Sequence, residues 1–164
     1  MTQTSKKQSF RFALMLGVFS ALGPFTFDMY LPAFPEMSEY FNTSASSIQV
    51  SLTASLLGVG LGQIIIGTLS DVYGRRTPLL IAMVIFALAS LACALSPNIW
   101  TLITMRFIQG FAGAAGLVIS RAIARDLYSG VELTKFFSMI VLVSSVAPLL
   151  APLSGGIILS FTPW

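Results

Sequence analysis

Residues 48–78 read IQVSLTASLLGVGLGQIIIGTLSDVYGRRTP. The run from Ile48 to Leu69 carries no charge, and as an α-helix rising about 1.5 Å per residue it would cross about 30 Å of bilayer hydrocarbon. Gly58-Val59-Gly60-Leu61-Gly62 includes the GxxxG spacing that lets helix backbones approach closely in lipid. Then charge returns abruptly, with Asp71, Arg75 and Arg76 set among Gly67, Gly74 and Pro78. A charged connection of about eight residues before the next apolar run forces adjacent antiparallel helices. A positive loop explains the arginines; it does not explain Asp71 or the glycine pair.

The pattern repeats along the whole chain of 164 residues, which is 55% hydrophobic and only 9% charged. A soluble domain carries about a quarter charged residues, so this chain lacks the polar surface to face water all round. Charge-free runs predict five membrane-spanning helices, near 12–31, 48–69, 78–95, 99–119 and 136–159. The runs are continuously apolar, whereas a transmembrane barrel would show segments of about ten residues of alternating polarity. The fold class is all-α, a polytopic helix bundle. Histidine is absent, which excludes a Ser-His-Asp triad, a Cys-His dyad and any His-ligated metal site. The six acids form no catalytic or metal-binding cluster, so neither an enzyme nor a metal site is expected. The single cysteine, Cys93, reads as a small packing residue within an apolar run.

Eight of the nine basic residues lie in three segments: Lys6, Lys7 and Arg11 before the first span, Arg75 and Arg76 after the second, Arg121, Arg125 and Lys135 after the fourth. Basic residues are retained on the cytoplasmic side, so the N-terminus is expected inside and the protein in the cytoplasmic (inner) membrane. The basic balance therefore reports orientation. Dispersed over three short segments, these charges do not form the accessible face a nucleic acid would need. Pro24 after Ala21-Leu22-Gly23 disfavours signal cleavage, leaving a first spanning helix. On the outer side, 32–47 should end in a Ser46 to Gln49 capping box, and Ser96-Pro97-Asn98 should form a tight turn. The chain stops at Thr162-Pro163-Trp164, with Trp164 at an interface, and reads as interrupted.

Two charges fall inside spans. Arg106 lies about 11 Å deep in the fourth, where an arginine costs about 2.5–3.5 kcal/mol on insertion scales and must find a partner or a wet cavity. Asp28, the only carboxylate inside a span, lies about four residues from the outer end of the first. The two are opposite in sign and on the same side of the midplane, so an ion pair or a shared water-filled cavity is expected. Asp28 is the candidate proton carrier or counter-charge for a cationic ligand. Gly110, Gly113, Ala114 and Gly116 make a small-residue stripe on the fourth span. In the fifth, Pro148 and Pro152 share a face ahead of Gly155 and Gly156, which predicts a bend.

These residues resemble the major facilitator superfamily of secondary transporters, drug/proton antiporter branch. Gly67 to Thr77 matches the loop motif G-x-L-x-D-x-x-G-R-[RK]-x. Leu102, Arg106, Gln109 and Gly110, followed by Gly113, are similar to the fourth-helix motif L-x-x-x-R-x-x-Q-G-x-G, whose last glycine falls on Ala112 here. Ala151-Pro152-Leu153-Ser154-Gly155-Gly156 resembles the antiporter motif G-P-x-x-G-G with alanine in the first place. Asp28-Met29-Tyr30-Leu31-Pro32-Ala33-Phe34-Pro35, with Gly62-Gln63 and Arg121 to Asp126, is similar to the bicyclomycin-resistance (Bcr/CflA-type) efflux subfamily.

The resemblance implies a twelve-helix transporter of two halves that exchanges protons inward for small lipophilic drugs outward, with the proton gradient as its only coupling factor. It assigns Asp28, Arg106, Tyr30 and Gln109 to proton coupling or substrate. Gly67, Asp71, Gly74, Arg75, Arg76 and Asp126 go to a cytoplasmic gate, and Pro148, Pro152, Gly155 and Gly156 to helix bending. It also implies that the sixth helix and the C-terminal half are partners missing from this chain, which alone should not transport. The alternatives are a nutrient or metabolite transporter of the same fold, or a truncated product acting at most as an interaction partner. Membrane lipid is the remaining partner; nucleic acid is not one.

Overall fold

The computed structural model describes residues 6–162, and among them helices joined by short turns are the only regular elements. Five helical stretches are long and apolar enough to cross a membrane: Ser9–Tyr40, Ala45–Tyr73, Arg76–Ala94, Ile99–Leu127 and Gly130–Leu159. The all-α expectation and the five spans therefore hold, and the protein is a multi-pass membrane protein. Trp164 lies outside the described residues.

The elements run longer than charge-free scanning predicts. Helix α1 (Lys6–Tyr30) passes through a 3-10 turn, Leu31–Ala33, into the short α2 (Phe34–Tyr40). Pro32 and Pro35 stand at the opening positions of these two elements, where a missing N–H costs nothing. Helix α3 (Ala45–Tyr73) is capped by Ser44, whose extended backbone presents Oγ to the Ser47 N–H at 3.3 Å. The expected Ser46 to Gln49 box is thus corrected: Ser46 is already helical, and the cap is the last extended residue before it. The glycine-bounded loop is corrected as well. Gly67 to Tyr73 continue α3, and Gly74, at φ +80°, stops it in a conformation that favours glycine. Only Gly74 and Arg75 separate α3 from α4 (Arg76–Ala94).

Helix α5 (Ile99–Leu127) starts at Asn98, whose Oδ1 accepts from the Thr101 N–H at 2.9 Å, and the turn at 96–98 is as expected. It does not end near Ile119: its 29 residues are about 43 Å long. Arg121, Arg125 and Asp126 are therefore helical. The fifth span is two helices, α6 (Gly130–Ser145) and α7 (Ala147–Leu159), broken at Val146. Pro148 sits in the first turn of α7, where it has no N–H to give the preceding turn, whereas Pro152 lies inside α7 without breaking it.

Close backbone contacts give the packing order. Ser55 meets Gly110, and Phe111 and Ala114 meet Gly62, so α3 and α5 run the same way. Phe19 meets Gly116, so α1 runs against α5; Val143 meets Gly17 and Met29 meets Gly155, so α6 and α7 follow α1. Ala112 to Gly116, five residues in succession, are buried on every side of α5. A helix buried all round is the centre of its bundle, and small side chains are what permit it. The large apolar side chains point outward instead, Leu80, Ile81, Val84, Leu88 and Leu91 along one face of α4. That face would be a severe liability in water and is at home in lipid.

Candidate functional site: a buried arginine and an ionic latch

Two polar assemblies lie at different depths of the bundle. The first surrounds Arg106, which is 7% exposed. Its guanidinium carbon lies 3.6 Å from the centre of the Tyr30 ring, and Nη1 donates to Gln109 Oε1 at 3.1 Å. Gln109 Nε2 donates in turn to Ser90 Oγ at 2.7 Å, and Ser90 gives its proton to the Phe86 carbonyl at 2.7 Å. On the other side Tyr30 Oη lies 2.7 Å from Ser51 Oγ. Ser51 Oγ is 2.6 Å from the Ile48 carbonyl and spends its own proton there, so the phenol is the donor. Tyr30 therefore keeps its proton and meets Arg106 as a neutral π face, a contact that contributes about 2 kcal/mol when desolvated. Side chains of α1, α3, α4 and α5 join in this assembly. Arg106 Nε is buried without a partner, as is Ser55 Oγ, one turn beyond Ser51.

The expected Asp28–Arg106 ion pair is not formed; both salt bridges among the described residues belong to Arg75. The reason is angular. Residues 28 and 30 are about 200° apart around a helix, and it is Tyr30 that turns toward α5. Asp28, partly exposed, looks to another face of α1. Beside it, α7 closes on α1 at backbone distance, where a Cβ on Gly155 would stand 2.3 Å from the Met29 carbonyl oxygen. A Cβ on Gly156 would meet nothing within 4 Å, and Pro148 is exposed.

The second assembly lies at the basic end, where α3 meets α4. Arg75 Nε donates to Asp126 Oδ2 at 2.8 Å, and Nη1 donates to Ser70 Oγ at 2.9 Å and to Asp71. One arginine thus ties the end of α3 to the end of α5. The Asp126 carboxylate, seconded by Asp71, holds the Arg75 guanidinium above its ordinary value, against a smaller opposing contribution from burial. Both carboxylates are exposed, which leaves the latch open to competition by water and salt. Arg76 forms no ion pair among the described residues and is exposed; a Cβ on Gly67 would stand 3.3 Å from Val118 Cγ1. Nearby, Tyr128 stacks on Phe136 with ring centroids 4.4 Å apart, closing this end around Ala13, Leu16 and Ala124.

Ser51, Ser70 and Ser90 were not among the sequence-derived candidates. Ser51 and Ser55 share a buried stripe with Gly58 and Gly62, at intervals of three and four, which meets Tyr30 of α1 at Ser51 and α5 from Ser55 onward. That periodicity was a readable sign; Ser70 and Ser90 carried none.

Residues 14–164 match the family model of the Major Facilitator Superfamily. The chain belongs to that superfamily. Its similarity extends to an uncharacterized MFS-type transporter of Bacillus subtilis, 52% identical over 160 residues, covering 96% of this chain and 40% of the relative. A bicyclomycin resistance protein homolog of Haemophilus influenzae is 40% identical over 159 residues, covering 97% and 40%. Multidrug resistance protein D of Escherichia coli is 33% identical over 159 residues, again covering 97% and 40%. The chain thus spans about two-fifths of the length of these superfamily relatives. The expected family and its drug-resistance kinship stand on these matches.

Proposed function

We propose that this bundle is the N-terminal part of a proton-coupled exporter of small lipophilic drugs, working by alternating access against a C-terminal half. The observation that carries the reading is the separation of Asp28 from Arg106. A static pair would neutralise both charges for good, whereas an acid and a cation kept apart in one bundle remain free to respond to a proton or a substrate. The printed names of the relatives, resistance to bicyclomycin and multidrug resistance, support drugs as the cargo. The proton gradient is the coupling factor, and no organic cofactor is invoked.

In this reading Asp28 exchanges proton and substrate, and Arg106 biases that exchange. Arg75, Asp71 and Asp126, placed by Gly67, Gly74 and Ser70, form a cytoplasmic latch that holds the outward-open state and breaks when the bundle rocks. The α6–α7 break, Pro152 and Gly155 set the shape of the wall beside Asp28. In drug-sensitive bacteria the complete transporter is expected to lower accumulation of a lipophilic cationic dye several-fold, with full recovery on adding a protonophore. Dye accumulation indifferent to the transporter, or export that persists after the gradient is dissipated, contradicts it.

The basic end is cytoplasmic in this account, following the retention of Lys and Arg on that side. With Cys93 replaced, Ser46→Cys should react with an impermeant maleimide added to whole cells, and Ser129→Cys only after lysis. The opposite pattern reverses the orientation.

A further inference from the structure

Arg106 is a buried cation, costly to hold within a membrane-spanning helix, and none of the described groups around it is an anion. The titratable groups that face it are Tyr30 of α1 and Cys93 of α4, and α3 offers Ser51 and Ser55. Tyr30 is committed as a proton donor to Ser51, so a phenolate is not the counter-ion. Gln109 has its amide oriented from both ends, its oxygen accepting from Arg106 and its nitrogen donating to Ser90. Each group touching the guanidinium is thus neutral, and each is pinned from behind by a serine of a different helix.

We propose that Tyr30 and Gln109, anchored by Ser51 and Ser90, form a neutral clamp that holds Arg106 as an uncompensated cation, with Tyr30 as the positioning residue that fixes the plane of the guanidinium. A carboxylate in that place would hold Arg106 more tightly and cancel its charge. A π face holds the cation by its quadrupole and leaves the charge uncancelled. The buried, unpartnered Nε is then a donor left free for an acceptor that arrives only during the transport cycle. The clamp itself is a statement about this chain. Its consequence for coupling rests on the exporter reading, and the experiment separates the two.

The first measurement needs no transport. In detergent, thermal unfolding of the chain is followed for the wild type, Tyr30→Phe, Tyr30→Leu and each of these combined with Arg106→Gln. Tyr30→Leu should lower the midpoint by about 5 °C when Arg106 is present, and by less than half of that when it is Gln; Tyr30→Phe, which keeps the ring, should recover most of the loss. An equal loss in both backgrounds would make Tyr30 an ordinary packing residue and overturn the clamp. The second measurement uses vesicles with the complete transporter. Tyr30→Leu and Ser90→Ala should move the pH profile of dye export in the direction taken by Arg106→Gln, with Tyr30→Phe holding the wild-type profile. A lower maximal rate with an unmoved profile in Tyr30→Leu would overturn the positioning role even if the unfolding cycle shows coupling. A wild type that exports nothing would count against the exporter reading alone, because the unfolding cycle decides the clamp without it.

Discussion

Asp28→Asn is expected to reduce proton-coupled export to the level of cells without the transporter, while the protein still inserts and melts within about 2 °C of the wild type. The first half follows from chemistry: an amide neither takes up nor releases a proton in the range where the carboxyl does. The second follows from geometry, because Asp28 holds no salt bridge that its loss would break. Arg106→Gln should also cost export, for a different reason and with an opposite structural effect. Removing a buried cation recovers part of the roughly 2.5–3.5 kcal/mol that an arginine near mid-bilayer costs, offset by the lost π contact and the lost hydrogen bond to Gln109. Stability should therefore hold or rise as function falls. A purely structural pair would behave otherwise: each single change would destabilise, and Asp28→Asn with Arg106→Gln would restore export. Assays of export and of unfolding on the singles and the double separate these outcomes.

The second large effect is steric. Gly58 and Gly60 lie two residues apart on α3, yet a Cβ added at Gly58 would stand 2.2 Å from the Phe107 carbonyl oxygen and 2.9 Å from the Phe111 nitrogen, whereas one at Gly60 would meet nothing within 4 Å. The obstacles at Gly58 are backbone atoms of the central helix, which cannot move aside as a side chain can. Gly58→Ala should force α3 away from α5 and cost about 3 kcal/mol, the upper end of ordinary overpacking, seen as a fall of about 10 °C in the unfolding midpoint. Gly60→Ala should be neutral or gain a few tenths of a kcal/mol from helix propensity. Equal effects at the two positions would mean that α3 and α5 do not meet along the Gly58–Gly62 face.

How much of this was readable beforehand depended on the property in question. Charge-free runs located all five spans, because the bilayer penalises charge at every position along them. They misjudged the ends, because a helix does not stop where hydrocarbon does. Arg121, Arg125 and Asp126 extend α5 at no cost once their side chains reach headgroups or water, whereas Gly74, with its positive φ, stops α3. The break at Val146 was half visible: Pro148 and Pro152 look alike in sequence, but one opens a helix and the other is accommodated inside it. Depth and sign brought Asp28 and Arg106 together in expectation. Azimuth kept them apart, and the two-residue offset from Tyr30 to Asp28 held that information all along. The latch residues Asp71, Arg75 and Asp126 were legible as a group, whereas Ser70, Ser51 and Ser90 were not, since a serine on a membrane helix most often bonds its own preceding turn.

In the exporter reading, Asp28 gives up a proton when substrate binds. The direct measurement is proton release from the complete transporter in detergent, in lightly buffered solution, on adding a lipophilic cationic substrate, for the wild type and for Asp28→Asn. Release by the wild type is expected to saturate with substrate, with none from Asp28→Asn. Release of the same size from Asp28→Asn, or substrate binding by the wild type without any release, would contradict that reading.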